Sequence, residues 1–149
     1  SAASDVYKRQ LFKFAFVRNP WDLQVSSYHH IRRERPQLLK PNETFDEFLR
    51  RKLDPSRPWQ YHIDTSITPQ SDYLIDLKGN LIVDFIGHYE TLQQDFDECC
   101  RRIGIPKIEL PHRRKADDRL AYRDYYTPET QALVTEAFAR DIEILGYEF

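Results

Sequence analysis

The chain has 149 residues, of which 40% are hydrophobic and 31% are charged, and its formal net charge is −2. This length predicts one domain, and the near-neutral charge argues against a general attraction to nucleic acid or to an anionic membrane surface. No apolar run approaches the roughly 18–20 residues that a membrane span needs, and no signal segment opens the chain.

The first ten residues, SAASDVYKRQ, have no apolar period, although a strand pattern begins directly after them at Leu11. We therefore expect residues 1–10 to be a foreign leader and residues 11–149 to form the domain. The natural protein is then expected to begin further upstream.

The run LFKFAFV, residues 11–17, is short, apolar and rich in phenylalanine. Such a run is typical of a strand covered on both faces, as in a parallel sheet. A helix is predicted next, with Asn19 as its cap, Pro20 at its first position and Asp22 in its first turn. It ends before Pro36. The positions that it directs to the core are Trp21, Val25, Tyr28 and Ile31.

A second helix is predicted over ETFDEFLRRKL, where Thr44 and Glu47 form a capping-box pattern. Residues 54–68 have no regular pattern. The segment SDYLIDLKGNLIVDFIGHYE then predicts two strands around a turn at residues 78–80.

Two further helices complete the pattern. The first covers TLQQDFDECCRRIG, with a capping box at Thr91 and Gln94 and a stop at Gly104. The last begins at residues 127–128, directs Val134, Phe138, Ile142 and Leu145 to the core, and stops at Gly146. Strands that alternate with amphipathic helices predict an α/β fold.

Cys99 and Cys100 are the only cysteines, and they are adjacent on a predicted helix. Two isolated vicinal thiols form neither a disulfide framework nor a metal cage, so a reduced compartment is indicated. We expect both to be small core residues.

Arg18 lies at the end of the first predicted strand, beside a helix start that we expect to be rich in free N–H donors. Ligands bind outside the carboxyl ends of parallel strands, and helix starts favour anions. Ser26 shares a helix face with Asn19 and Asp22. A guanidinium and a hydroxyl that converge from these elements suit a phosphate. The alternative is an ion pair between Arg18 and an acidic neighbour, with Ser26 facing solvent.

The stretch FVRNPWDLQVSSY, residues 16–28, resembles the FVRxPxxRxxSxY signature of sulfotransferases that use 3′-phosphoadenosine 5′-phosphosulfate (PAPS), especially the carbohydrate group. The resemblance implies that Arg18 and Ser26 hold the 3′-phosphate of this donor. One departure is the pair Leu23-Gln24, where the family commonly has an arginine that is usually structural.

Two later blocks extend the resemblance in the same order. Residues 83–96, VDFIGHYETLQQDF, are similar to the family's "vgryEnL..df" segment, and residues 111–149 resemble its C-terminal end, with "YrdYY" and "lfgYeF". The family's loop before "YrdYY" folds over the donor, which implies donor contacts for Arg113, Arg114 and Lys115. The alternative is a solvated basic turn, whereas a nucleic-acid patch is a poor fit for so short a segment.

The resemblance implies a P-loop-NTPase-like fold with a parallel sheet, in which a phosphate loop precedes the Arg18 motif. Such a loop needs glycine or other small residues, but the four glycines of this chain, at positions 79, 87, 104 and 146, all lie downstream. We therefore expect the N-terminal strand and phosphate loop to be missing, and the 149 residues to be inactive as an incomplete domain.

No catalytic base is assigned, because the family's histidine or glutamate commonly precedes the motif. His29 and His30 are the nearest candidates, and as neighbours on a helix they face different ways and make a poor metal chelate. His62 and His88 are no better placed. Four residues are considered for the acceptor side: Arg32, Arg33, Trp59 and Tyr61.

The predicted function is sulfuryl transfer from PAPS to a hydroxyl, on a carbohydrate, by a metal-free in-line displacement. The partners are the nucleotide donor and a glycan or other hydroxyl acceptor. A P-loop-type phosphotransferase that uses ATP and a non-catalytic nucleotide-binding module are the alternatives. The resemblance implies the cytoplasm for a bacterial member and the Golgi lumen for a eukaryotic one, and the sequence does not choose.

Overall fold

The computed structural model describes residues 2–3, 11–57, 67–111 and 119–149. In these residues it has a mixed α/β fold, as predicted. The strands are β1 (Phe14–Val17) and β2 (Phe85–His88), and the helices are α1 (Pro20–Glu34), α2 (Phe45–Lys52), α3 (Leu92–Ile103), α4 (Pro128–Ala137) and α5 (Ala139–Leu145). The chain divides into two compact units. The described part of the first covers residues 2–3, 11–18 and 72–111, and that of the second covers residues 19–57, 67–71 and 119–149.

The sheet of the first unit consists of β1 and β2, which pair in parallel from Phe14↔Phe85 to Val17↔His88. The prediction of a parallel strand is confirmed, but β1 is shorter than residues 11–17. The expectation that it is covered on both faces is wrong, because Val17 alone is buried in β1 and Phe14 remains 40% exposed. With β2 as its one described neighbour, most of β1 has little to pack against.

Gly87 lies opposite Phe16 in this register, and the Phe16 ring covers it. A Cβ atom at position 87 would collide with three carbons of that ring. The glycine is therefore required by the close approach of an aromatic side chain.

Residues 75–81 differ from the predicted pair of strands. An isolated antiparallel bridge joins Ile75 to Leu81, and the turn between them has Gly79 at φ +82°. The Asp76 carboxylate accepts the N–H groups of Lys78 and Asn80 at 2.9 and 2.8 Å. These local bonds satisfy the turn without a longer ladder.

Helix α3 ends at left-handed Gly104, as predicted, but the predicted capping box at its start is wrong. The Thr91 hydroxyl donates to the Asp95 carboxylate at 2.8 Å instead of accepting a backbone N–H group of the helix. Cys99 and Cys100 are buried free thiols, which confirms that they are core residues. Burial raises the pKa of Cys99, so this thiol stays protonated and inert.

The second unit is built around one aromatic-rich core. The prediction that α1 directs Trp21, Val25, Tyr28 and Ile31 to the core is confirmed, because all four are buried. The capping box of α2 is also present. The buried residues of this core are Trp21, Val25, Tyr28, Ile31, Phe45, Phe48, Leu49, Val134 and Phe138.

The C-terminal helix is interrupted, whereas the sequence predicts one continuous helix. Phe138 leaves helical geometry, with φ −119° and ψ 28°, and it separates α4 from α5. The predicted start at residues 127–128 and stop at Gly146 are both confirmed, and Thr127 caps the helix. In the part of the chain that the structure describes, no helix is both long and apolar enough to cross a membrane.

Candidate functional site

Arg18 follows β1 directly, at the carboxyl edge of the parallel sheet. Val17 pairs with His88 at the ends of the two strands. The residues that follow, Arg18 and Tyr89, therefore lie at the same edge of the sheet. The Arg18 guanidinium carbon lies 3.9 Å from the centroid of the Tyr89 ring. Stacking of this kind fixes the plane of the guanidinium, and with it the directions in which its N–H groups point. Arg18 is half-buried, whereas Tyr89 is 45% exposed.

Tyr89 is a candidate that sequence reasoning missed. The sequence did carry a signal, since Tyr89 lies inside the block at residues 83–96 that resembles the family. Its contact with Arg18, however, depends on the register between two strands that are far apart in sequence.

The turn after β2 is held by the carboxylate of Asp95. It accepts the backbone N–H of His88 at 2.7 Å and the hydroxyl of Thr91 at 2.8 Å. Burial acts to raise the pKa of Asp95, but these hydrogen bonds and the nearby His88 ring hold that pKa below its ordinary value. The His88 ring is itself 3.7 Å from this carboxylate. His88 and Asp95 therefore fix the turn from which Tyr89 projects.

The start of α1 does not offer the free donors that the sequence suggested. The Asn19 side chain caps the helix, as predicted, and its oxygen accepts the N–H groups of Trp21 and Asp22 at 3.0 and 3.1 Å. Leu23 donates to the Asn19 carbonyl at 2.9 Å, and Pro20 has no N–H. The expectation of a donor-rich helix start is therefore wrong, and recognition of an anion here depends on side chains.

Ser26 lies in the second turn of α1 and is half-buried. Asp22, one turn before it, forms a partly buried ion pair with Arg119. This pair neutralises a carboxylate that would otherwise repel an anion near Ser26. On the other side of Ser26, the neighbouring Ser27 accepts a hydrogen bond from the buried Lys52 ammonium at 3.1 Å. Sequence reasoning singled out neither Arg119 nor Lys52.

The C-terminal block that resembles the family packs against α1. The Tyr126 hydroxyl donates to the Trp21 carbonyl at 2.7 Å, and the Asn19 amide donates to the Tyr122 hydroxyl at 3.4 Å. Burial, with the charge of Asp22, raises the pKa of Tyr126, so this phenol is a neutral donor. The Phe149 ring packs edge-on against Trp21 and both tyrosines. The first and last resembling blocks thus meet around the helix that carries Ser26.

His29 and His30 differ as predicted. His29 is half-buried, and its Nε2 atom lies 2.8 Å from the Tyr125 hydroxyl, whereas His30 is exposed. Arg33 pairs with Glu34 at 2.7 Å, and Arg32 lies over the Tyr28 ring. The other candidates fall outside the described residues: Trp59, Tyr61, His62, Arg113, Arg114 and Lys115. Among described residues, no cluster of three or more histidine, cysteine, aspartate or glutamate side chains is arranged to hold a metal.

Comparison with known proteins identifies the class. The profile described as the sulfotransferase family matches residues 2–148. The chain belongs to this family.

An uncharacterized protein from Archaeoglobus fulgidus is 36% identical to it over 107 residues, which cover 70% of this chain and 78% of that protein. No solved structure matches the chain. The foreign leader at residues 1–10 and the roles of Arg18 and Ser26 stay predictions.

Proposed function

We propose that this protein transfers a sulfuryl group from PAPS to a hydroxyl group of a carbohydrate. Membership of the sulfotransferase family supports sulfuryl transfer in general. The choice of PAPS and of a sugar acceptor follows from the resemblance of residues 16–28 to the signature of the carbohydrate group. In this proposal Arg18 and Ser26 hold the 3′-phosphate of the donor.

The observation that carries the proposal is the position of Arg18. It stands at the carboxyl edge of a parallel sheet, where ligands of open α/β folds bind, and the Tyr89 ring holds its guanidinium plane. A fixed guanidinium loses little conformational freedom when it binds phosphate, and it offers two parallel N–H groups to two phosphate oxygens.

The proposed reaction is an in-line displacement at sulfur. The acceptor oxygen forms a new S–O bond as the bond from sulfur to the 5′-phosphate oxygen breaks, and adenosine 3′,5′-bisphosphate leaves. The proton of the acceptor hydroxyl passes to a base, which we do not assign. Arg18 and Ser26 act at the far end of the donor, where they hold it in place, and Arg113, Arg114 and Lys115 are proposed to contact it from the loop before Arg119.

The test is calorimetric titration of the chain with three nucleotides: adenosine 3′,5′-bisphosphate, adenosine 5′-monophosphate and ATP. If Arg18 recognises a 3′-phosphate, the bisphosphate binds at least tenfold more tightly than the other two. Binding is a suitable readout because it does not require the sulfuryl group to be transferred. Tighter binding of ATP would favour a phosphotransferase and would contradict the proposal.

Turnover of PAPS is measured separately, and binding of the bisphosphate without any turnover would instead indicate a nucleotide-binding module. This second measurement therefore separates the recognition of the donor from the chemistry.

A further inference from the structure

One face of α1 carries Asp22, Ser26 and His29, at intervals of four and three residues. Side chains at this spacing are neighbours on a helix, with about 5–6 Å between their Cβ atoms. Ser26 is the residue to which the proposed function gives the 3′-phosphate of the donor. Asp22 places a carboxylate one turn before it, and a carboxylate so close to a bound phosphate repels it.

The charge that compensates Asp22 comes from Arg119. The two side chains form an ion pair and are only 16% and 17% exposed. A pair that is partly withdrawn from water is screened less by solvent and salt than a surface pair. Asp22 also stands in the first turn of α1, where the helix dipole favours a negative charge. Removal of Arg119 alone would therefore leave a negative charge beside Ser26.

The charge of Asp22 acts on groups other than Arg119. Burial, and after it the charge of Asp22, raises the pKa of Tyr126, whose hydroxyl donates to the Trp21 carbonyl at 2.7 Å. The Asp22 carboxylate thus influences the ionisation of a phenol in the same partly buried region. We expect it to act in the same sense, against negative charge, on an anion held by Ser26.

Residues 119–126 are held on α1 by contacts other than the ion pair. In addition to the Tyr126 hydrogen bond, the Tyr125 hydroxyl lies 2.8 Å from the Nε2 atom of His29. The Tyr125 ring also packs edge-on against Phe45. Loss of the ion pair should therefore leave this segment in place, so that a change in nucleotide affinity reports the charge and not the fold.

We propose that Arg119 is a specificity-determining residue, which neutralises Asp22 and thereby allows the face of α1 around Ser26 to accept a doubly charged 3′-phosphate. This role of Arg119 rests on the proposed function, because it requires a 3′-phosphate at Ser26. It differs from the role of a structural ion pair, which loses stability whichever partner is removed. Here the affinity should fall only when Asp22 is left without Arg119.

The experiment is calorimetric titration of three variants, Arg119→Gln, Asp22→Asn and the double variant, with adenosine 3′,5′-bisphosphate and adenosine 5′-monophosphate. Arg119→Gln should weaken the bisphosphate about tenfold and the monophosphate, which lacks the 3′-phosphate, less than about twofold. Asp22→Asn should keep the affinity for the bisphosphate, and the double variant should recover most of what Arg119→Gln loses. The loss in Arg119→Gln should also shrink at high ionic strength, because salt screens the repulsion.

Two further variants serve as controls. Arg50 pairs with Asp46 at 2.7 Å on the exposed surface of α2, so Arg50→Gln changes the charge of the chain by the same amount and also leaves a carboxylate behind. It should not alter the affinity for either nucleotide. Arg119→Lys keeps the charge and should bind the bisphosphate nearly as tightly as the unchanged protein. If Arg119→Gln fails to fold, Arg119→Lys and the double variant still test the proposal, since both are required to retain the affinity.

Equal losses in Arg119→Gln and Asp22→Asn would indicate a structural ion pair and would overturn the proposal. An equal loss for both nucleotides in Arg119→Gln, or a double variant as weak as Arg119→Gln, would overturn it as well. The unchanged protein keeps this proposal apart from the proposed function. If it does not bind the bisphosphate, both are contradicted, whereas tight binding that Arg119→Gln retains contradicts the role of Arg119 alone.

Discussion

The two ends of strand β2 carry the same kind of contact in different settings. After its carboxyl end, the Arg18 guanidinium lies 3.9 Å from the Tyr89 ring centroid, and at its amino end the Arg102 guanidinium lies 4.9 Å from the Phe85 ring centroid. Arg102 also donates to Glu98 at 2.9 Å, and Glu98 accepts a second arginine, Arg101. Two hydrogen-bonded guanidinium groups lower the pKa of Glu98 to about 2.

The difference teaches that a guanidinium stacked on a ring is not by itself a binding site. Arg102 pairs with the Glu98 carboxylate on its own helix, and it lies at the amino end of the sheet, where ligands of parallel folds do not bind. Arg18 lies at the end where they do, within a stretch that resembles a phosphate-binding signature. The pair therefore provides a matched comparison of a proposed functional contact with a structural one.

The largest effect on stability is expected from a substitution within strand β2 itself. Gly87→Ala should lower the free energy of unfolding by about 1–3 kcal/mol, because the new methyl group collides with the Phe16 ring. Urea unfolding followed by fluorescence measures this change. Adding Phe16→Leu should recover part of the loss, and a double variant that is no more stable than Gly87→Ala would contradict the collision.

Removal of the aromatic ring should affect nucleotide binding at one end of β2 and not at the other. Tyr89→Leu should weaken binding of adenosine 3′,5′-bisphosphate about two- to fivefold, the amount expected for loss of about 0.5–1 kcal/mol of cation–π contact. Phe85→Leu should leave this affinity unchanged, and Tyr89→Phe should retain it because the ring face is preserved. Titration calorimetry on the three variants checks these values. Equal losses in Tyr89→Leu and Phe85→Leu would show that both rings act only through stability.

The smallest effects are expected on the stability of the protein at acidic pH. Asp95, near the carboxyl end, and Glu98, near the amino end, both have lowered pKa values in the folded protein. A carboxylate whose folded pKa lies below its unfolded value adds stability above the unfolded pKa, and this stability is lost as the pH falls through the folded pKa. For Glu98 this window runs from its ordinary value of 4.5 down to about 2.

Stability measured by urea unfolding from pH 6 to pH 2 should therefore depend less steeply on pH in Asp95→Asn and in Glu98→Gln than in the unchanged protein. Asp95→Asn should have the larger effect, because Asp95 accepts a backbone N–H whereas the Glu98 pairs are exposed to solvent. Unaltered acid slopes in both variants would contradict the pKa assignments.

The sequence predicts the local features well. The cap at Asn19, the capping box at Thr44 and the buried positions of α1 depend on neighbours three or four residues away, and all are confirmed. The interruption at Phe138, a buried core residue, was not predicted because tertiary packing can override local preference. The loss of the Thr91 capping box was not predicted because its hydroxyl donates to a competing local acceptor, Asp95. Arg18 and Ser26 were proposed from their pattern, and their roles stay predictions.

The candidate site also combines features that the sequence predicts with features that it does not. The Tyr89 contact was missed because it requires the parallel register of two strands that are about 70 residues apart in sequence. Asn19 illustrates the opposite case. Its role as a cap was predicted correctly, but the consequence, that it occupies the N–H donors proposed for an anion, was visible only in the structure.

The most direct measurement compares Arg18→Ala with Arg102→Ala in the affinity for adenosine 3′,5′-bisphosphate, with adenosine 5′-monophosphate as the reference ligand. Loss of a charge-assisted contact with phosphate should weaken the bisphosphate by about 10- to 100-fold in Arg18→Ala while the monophosphate is unaffected. Arg102→Ala should bind both nucleotides as the unchanged protein does. If Arg18→Ala binds the bisphosphate as tightly as Arg102→Ala, Arg18 does not recognise the 3′-phosphate.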